Sequence, residues 1–506
     1  MAYSSNRSSL AAAALLVCAL AFGAMPALAQ KQYSPGASDT EIKIGTTTPY
    51  SGPASAYSAG AVSATAYFTM INDQGGVNGR KINFISLDDA YSPSKTVEQI
   101  RRLIESDEVL FLVNPVGTAP NMAVVKYINQ KEVPHLFVGS GATVFNDPEH
   151  YPWTMSWTPH YASEGEIYAK YILSVNPNAK IAILSQNDDL GRDYLLGFKR
   201  GLGEKASTMI VSTQTYNTTD PTVDSQVVTL KASGADVFFI VTIPKFSAQA
   251  IRKAYDIDWH PQEIVVSIGS SIAGAIKPAG FDAAKGIISA AYQKDPADPQ
   301  WKNDPAMTAW NVWMDKYNPR ISKSEHYAPY GYNIGYAVVQ LLKQCGDNLT
   351  RENIMKQASH LDMELPLLLP GIRLKTSPTD LRPIKQMRLV RTIRAVQRRA
   401  RERLTSPRQE RLRCSSIRSL SAIDGRGEPE LSLMPSGIAA HCDLTFFGSL
   451  GCNASRITGA AYVKPSREIC LSSFRQYPRG RPSRNRIARR GPFGRRLPFR
   501  SKRANC

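Results

Sequence analysis

The chain has 506 residues, 43% of them hydrophobic, so it can bury a core and is long enough for two domains. Its formal charge of +19 at pH 7 would ordinarily point to an acidic partner, but residues 1–390 hold 35 Lys+Arg against 35 Asp+Glu, and residues 391–506 hold 26 against 7. The body therefore lacks the field that a charge-driven nucleic-acid or membrane binder needs, and the whole excess belongs to the tail.

Two further properties change at the same point. Lys outnumbers Arg by 23 to 12 before it, and Arg outnumbers Lys by 24 to 2 after it. Five cysteines, Cys414, Cys442, Cys452, Cys470 and Cys506, lie in the tail, whereas Cys345 is alone in the body and Cys18 sits in the N-terminal apolar run.

Residues 1–29 read as a signal peptide. Arg7 is followed by an apolar run from Leu10 to Ala24 and by the small-x-small site Ala27-Leu28-Ala29, with cleavage expected before Gln30. The run is shorter than the ~20 residues that span a bilayer. An exported, periplasmic protein follows, and a body with one cysteine must rely on packing, not on an internal disulfide.

From residue 41 strands and helices alternate. "EIKIGTTTP" reads as a strand, "SAGAVSATAYFTMIND" as a helix, "KINFISLDD" as a strand and "SPSKTVEQIRRLIES" as a helix opened by Pro93. "VLFLVNP", the helix "TAPNMAVVKYINQ" and "HLFVGS" follow. After "WTMSWTPHYASEG" the rhythm restarts with "KIAILSQ", "MIVSTQTY", "VFFIVTI" and "EIVVSIG", separated by amphipathic segments. Continuously apolar strands between helices imply parallel sheets covered on both faces. Two such runs predict two doubly wound α/β lobes. No residue-level repeat accompanies them.

Ligands of such sheets lie beyond the carboxyl ends of the strands. Three loops there, "TTTPYSGPASAY", "NPVGTAP" and "VGSGAT", are rich in Gly, Ser and Thr and carry no carboxylate. Each alone could be an ordinary turn. Converging in one lobe, their hydroxyls and free amides suit a small carboxylate.

At these residues the chain resembles the leucine/isoleucine/valine-binding proteins, the solute-binding subunits of branched-chain amino-acid-type ABC importers. The resemblance runs through "SGPASAY", "INDQGGVNGRKI", "LDDAYSP", "GTAPNMAV", "VPHLFVGSGAT", "IAILSQNDDLGRDY", "GFDAAKGI" and "TSPTDLRPIKQM" in family order. It implies the type I periplasmic-binding fold, two lobes joined by a three-crossing hinge. The boundaries it implies are 41–160 plus 290–345 for one lobe and 161–289 plus 346–390 for the other. It also implies a small-molecule solute, a permease in the inner membrane as partner, a monomer, and no cofactor.

Carried over by position, Thr118 and Thr143, with the backbone around Ser140 and Ala142, would hold the solute's carboxylate. Tyr57 would form a wall, and Tyr161 would serve the hinge or the ligand. The second half departs from the pattern. Leu190 stands where relatives place an aromatic, and Thr242 with Ile243 where they carry an aromatic pair. "VSIGSSIAG" offers no acid to pair with an α-ammonium. A buried ammonium needs such a partner, so the expected solute bears a carboxylate or amide-like group and need not carry an α-amino group.

Catalysis finds little support. The seven histidines show no i,i+4 pair and no Cys or acidic cluster at metal spacing, and "GSG" at 139–141 lacks the G-x-S-x-G frame. Neither a G-x-G-x-x-G motif nor a P-loop follows any strand. The adjacent pairs Asp88-Asp89 and Asp188-Asp189 read as helix caps or solvated loops.

Residues 391–506 admit three readings. One is a nucleic-acid- or surface-binding extension, the alternative function, carried by "QRRARERL" and "RPSRNRIARRGPFGRR". Another is a solvated tail without a core. The third, favoured by the simultaneous end of resemblance, rhythm and Lys preference, is out-of-frame translation of a GC-rich gene.

Overall fold

The computed structural model describes residues 31–392 and the backbone of 417–420. The first sheet contains β1 (Glu41–Thr48), β2 (Lys81–Asp88), β3 (Phe111–Val113), β4 (His135–Val138) and β5 (Thr154–Ser156), all parallel in the order β2-β1-β3-β4-β5. Between them run α1 (Ser58–Asp73), α2 (Pro93–Arg101), α3 (Thr118–Met122) and α4 (Val125–Gln130). The continuous helix expected over 118–130 is interrupted, because Val124 leaves the helical region at φ −122°. The break lets α3 face the strand ends while Val125 and Ile128 are buried in the core.

Helix α5 (Tyr161–Val175) enters the second lobe. There β6 (Ile181–Gln186), β7 (Ile210–Tyr216), β8 (Val237–Val241), β9 (Gln262–Val265) and β10 (Ile288–Ala291) form a parallel core in the order β7-β6-β8-β9-β10. This repeats the first sheet's order, so the internal symmetry that the residues do not show is present in the topology. Helices α6 (Asp189–Leu202), α7 (Asp224–Lys231) and α8 (Pro244–Asp256) cover it. Strands β6 and β8 are buried along their full length, whereas edge strand β7 alternates between buried or half-buried and exposed positions.

The chain then returns. Helices α9 (Pro305–Tyr317) and α10 (Tyr327–Cys345) pack on α1, and α11 (Arg351–Ala358) packs on α10. Residues Asn348–Leu349 pair with Gln32–Tyr33. The stretch 346–358, expected with the second lobe, thus sits against the first. Residues 292–294 run antiparallel to 367–369 as two of the passages between lobes, with Leu369 N–H donating to the Tyr292 carbonyl at 2.9 Å. Strand β11 (Arg388–Thr392) joins β10 antiparallel, and β12 (Ile417–Leu420) adds to β11. The second sheet therefore ends in two antiparallel strands, of which β12 lies in the basic tail. The segment read from sequence as a signal peptide and the rest of the tail lie outside the described residues.

Candidate functional site

Both strand orders reverse beside their first strand, where helices diverge and leave a crevice at the carboxyl ends. A cavity of about 50 Å³ occupies that place between the lobes. The first lobe contributes Tyr57, Tyr91, Gly117 and Thr118; the crossing contributes Thr158 and Tyr161; the second lobe contributes Leu190, Ser267 and Tyr292; and the start of α10 contributes His326, Tyr327 and Tyr330.

The loop holding Thr118 is set by a chain of hydrogen bonds. His135, fully buried on β4, has Nε2 2.9 Å from Asn121 Oδ1. The Asn121 amide donates to the carbonyls of Pro115 and Gly117 at 2.9 and 2.7 Å. Since that amide is fully used as a donor, His135 must carry its proton on Nε2. Gly117 has φ +108°, and a Cβ there would lie 2.4 Å from the Tyr91 ring, so only glycine permits the turn. Tyr91 itself has φ +60°.

Of the eight residues singled out from sequence, four line this cavity: Tyr57, Thr118, Tyr161 and Leu190. Ser140 stands directly behind, its hydroxyl 2.8 Å from that of Thr118. It also accepts from the Ala142 amide at 3.2 Å, which uses the donor expected to meet a solute. Tyr161 is held by its amide, which donates to the Gly141 carbonyl at 2.9 Å, and its ring stacks on Tyr194 at 4.6 Å.

The other two are placed differently. Thr143 holds a carboxylate, but that of Asp193 on α6: its amide donates to Oδ2 at 2.5 Å and its hydroxyl reaches both oxygens at 2.9 and 2.8 Å. The donor pair expected for the solute thus ties one lobe to the other. Thr242 is fully buried and bonds Ser247 at 2.6 Å, turned into the sheet-helix packing and not into the cavity.

Sequence reasoning missed most of the aromatic wall. Tyr57 and Tyr327 meet edge to face at 4.8 Å, and both hydroxyls donate to the Ile268 carbonyl, at 3.4 and 2.9 Å. The i,i+3 spacing of Tyr327 and Tyr330 at the start of "YAPYGYNIGY" was the available signal. Burial pushes the phenols of Tyr57, Tyr292 and Tyr327 well above their ordinary range, so these groups remain neutral. Thr158, 8% exposed, has a hydroxyl without a hydrogen-bond partner among the described residues. An enclosed hydroxyl of that kind is satisfied by a ligand or a water.

Among the described residues the cavity wall includes no carboxylate, lysine or arginine. A buried acid behind the wall, Glu164, stands on the first turn of α5. It accepts from the hydroxyls of Tyr168 and Tyr194 at 2.7 and 2.9 Å, and from the Ser267 amide and hydroxyl at 2.7 and 2.9 Å. Burial pushes its carboxyl up while these four donors oppose the shift. Those donors consume it, and its role is to position the Ser267 loop.

A second cavity of about 280 Å³ shares Ser267, Tyr292 and His326 with the first and extends past Trp301 to β11. His326 Nδ1 lies 3.0 Å from Asp295 Oδ2, a His–Asp pair invisible in the sequence. The other ring nitrogen, Nε2, lies 3.3 Å from the Gln293 amide nitrogen. Among the described residues no group of three His, Cys, Asp or Glu could hold a metal ion, and no helix is long and apolar enough to cross a membrane.

Comparison with known proteins agrees with this architecture. Residues 41–397 match the family described as periplasmic binding protein. The chain is similar to the Leu/Ile/Val-binding protein homolog 7 of Brucella abortus (strain 2308), 26% identical over 292 residues that cover 56% of this chain and 69% of the relative. Among solved structures, a branched chain amino acid ABC transporter from Thermus thermophilus with bound valine superposes with a TM-score of 0.61 at 16% identity, covering 70% of this chain and 94% of its own. A solute binding protein of an ABC transporter from Rhodopseudomonas palustris BisB5, in complex with 3,4-dihydroxy benzoic acid, gives 0.59 at 20% identity, with 70% and 93% covered. At these identities the structures establish a shared fold.

Proposed function

The chain belongs to the periplasmic binding protein family, whose members bind solutes and are not enzymes, and from that premise we propose that it is an exported receptor delivering a small carboxylate-bearing solute to an ABC permease. One observation carries the choice of solute. The wall of the interlobe cavity carries hydroxyls, aromatic rings and the His326 imidazole but no carboxylate, and the acids behind it are engaged, Glu164 by four donors and Asp295 by His326. Thr118 and Thr158, with the tyrosine hydroxyls, offer donors for an anion. Nothing facing the cavity is suited to neutralise an ammonium, which would pay the full cost of an unpaired buried charge.

The solute is then an organic acid, with the aromatic wall favouring an apolar or aromatic remainder. The neighbours' valine and 3,4-dihydroxy benzoic acid span the two alternatives, and a wall without a carboxylate among the described residues favours the second type. Calorimetric titration of the whole chain with leucine, valine, an aliphatic acid and an aromatic acid tests the proposal. Binding of an acid without an amino group supports it. Tight leucine or valine binding with no response to the acids refutes it.

A further inference from the structure

A cavity of about 360 Å³ on the second lobe has no part in the solute reading. Its walls are Tyr255 on α8, residues 259–263, which run into the start of β9, and residues 282–283 and 285–287, which lead into β10. The solute-facing residues Ser267 and Tyr292 follow the other ends of those same parallel strands. The two cavities therefore lie at opposite ends of the same strands.

Glu263, the second residue of β9, lines this cavity and is 8% exposed. Among the described residues its carboxylate has neither a hydrogen-bond nor an ion-pair partner, and burial pushes the carboxyl far up. Every other buried acid mentioned above is satisfied: Glu164 by four donors, Asp295 by His326 and the Ala297 amide. The neighbours of Glu263 do not relieve it. Lys285, also on the wall, is exposed and makes no ion pair with it, and His260 is engaged with Asp258 at 2.8 Å. Asp282 adds a second carboxylate, and Trp259 and Tyr255 add aromatic surface. An enclosed carboxylate beside aromatic rings is the chemistry that recognises an organic cation.

We propose that this cavity binds an alkylguanidinium or alkylammonium group, whose charge draws the Glu263 carboxyl into its ionised form and pairs with it, beside Trp259 and Tyr255 on the same wall. The group can belong to a free solute or to an arginine or lysine side chain of a partner, since both present the same head. The site is independent of the cleft, so failure of the organic-acid reading leaves it untouched.

Calorimetry on the whole chain compares butylguanidinium with butylurea, which has nearly the same shape and no charge. The cation is expected to bind at least tenfold tighter, and Glu263→Gln to abolish the preference. Tyr255→Ala alters a residue 43% exposed and is expected to weaken the cation at least threefold without affecting folding. Equal binding of the two probes overturns the proposal, as does a preference that survives in folded Glu263→Gln. Should that variant not fold, an unchanged affinity in Tyr255→Ala overturns it. An acetylated, amidated Gly-Arg-Gly peptide separates the sources. Binding by the peptide as well supports a partner side chain, and binding by butylguanidinium alone supports a free solute.

Discussion

Acidification should destabilise the protein through two buried imidazoles. His135 is fully buried and desolvation lowers it from 6.5 to about 3. His160, 8% exposed at the entry to α5, falls to about 4, from desolvation first and then from Arg382 and Arg200. Each is neutral when folded and protonates in the unfolded chain once pH drops below its ordinary value, so the unfolded state binds more protons throughout the interval. Stability is therefore fully present above about pH 6.5 and is lost as pH falls towards about 4 for His160 and about 3 for His135. By pH 5 each group has removed about 2 kcal/mol, ~4 together, a large share of the ~5–15 kcal/mol typical of a folded protein. The assay is urea unfolding followed by tryptophan fluorescence at pH 7.5, 6 and 5. His160→Gln should flatten the pH dependence by about half while leaving that of His135. Stability that stays level from pH 7.5 to 5, or an unchanged slope in His160→Gln, refutes the reasoning. Because His135 holds the Thr118 loop through Asn121, solute binding should fail in step with it.

Three other changes probe the site. Thr118→Val keeps shape and removes the hydroxyl that meets Ser140, and should weaken an acid solute by about 10–100-fold, read by calorimetry, if the bond is to a charged group. Glu164→Ala strands four donors and should cost about 4 kcal/mol in denaturant unfolding, with Glu164→Gln costing less because one oxygen survives. Gly117→Ala combines left-handed strain with a clash on Tyr91 and should cost about 2–4 kcal/mol in stability, with solute binding lost in the same titration.

Much of the fold was legible because parallel strands buried on both faces are largely apolar, as "VFFIV" and "IAIL" are. Local turn chemistry likewise marked "NPVGTAP" and "VGSGAT" as strand-end loops. The composition break after Val390 needed no structure at all. Those signals are short-range: each depends on a residue and its chain neighbours.

The site was legible only in part, because convergence is a property of the topology. Tyr57, Tyr161, Tyr292 and Tyr327 stand far apart in the chain and meet because both sheets reverse their order at one crevice. No local pattern distinguishes the Thr143 hydroxyl from that of Thr118, yet one is spent on Asp193 across the cleft while the other faces the cavity. Thr242 is likewise taken up, since its hydroxyl bonds that of Ser247 on the helix that follows it. Glu263 reads as one polar residue in a strand, and only packing reveals it enclosed and unpaired. Sequence thus determined which segments must be buried and where backbone could approach a ligand; tertiary structure decided which polar groups were left free to meet one, because hydrogen bonds between distant residues consume donors and acceptors that the chain alone presents as equivalent.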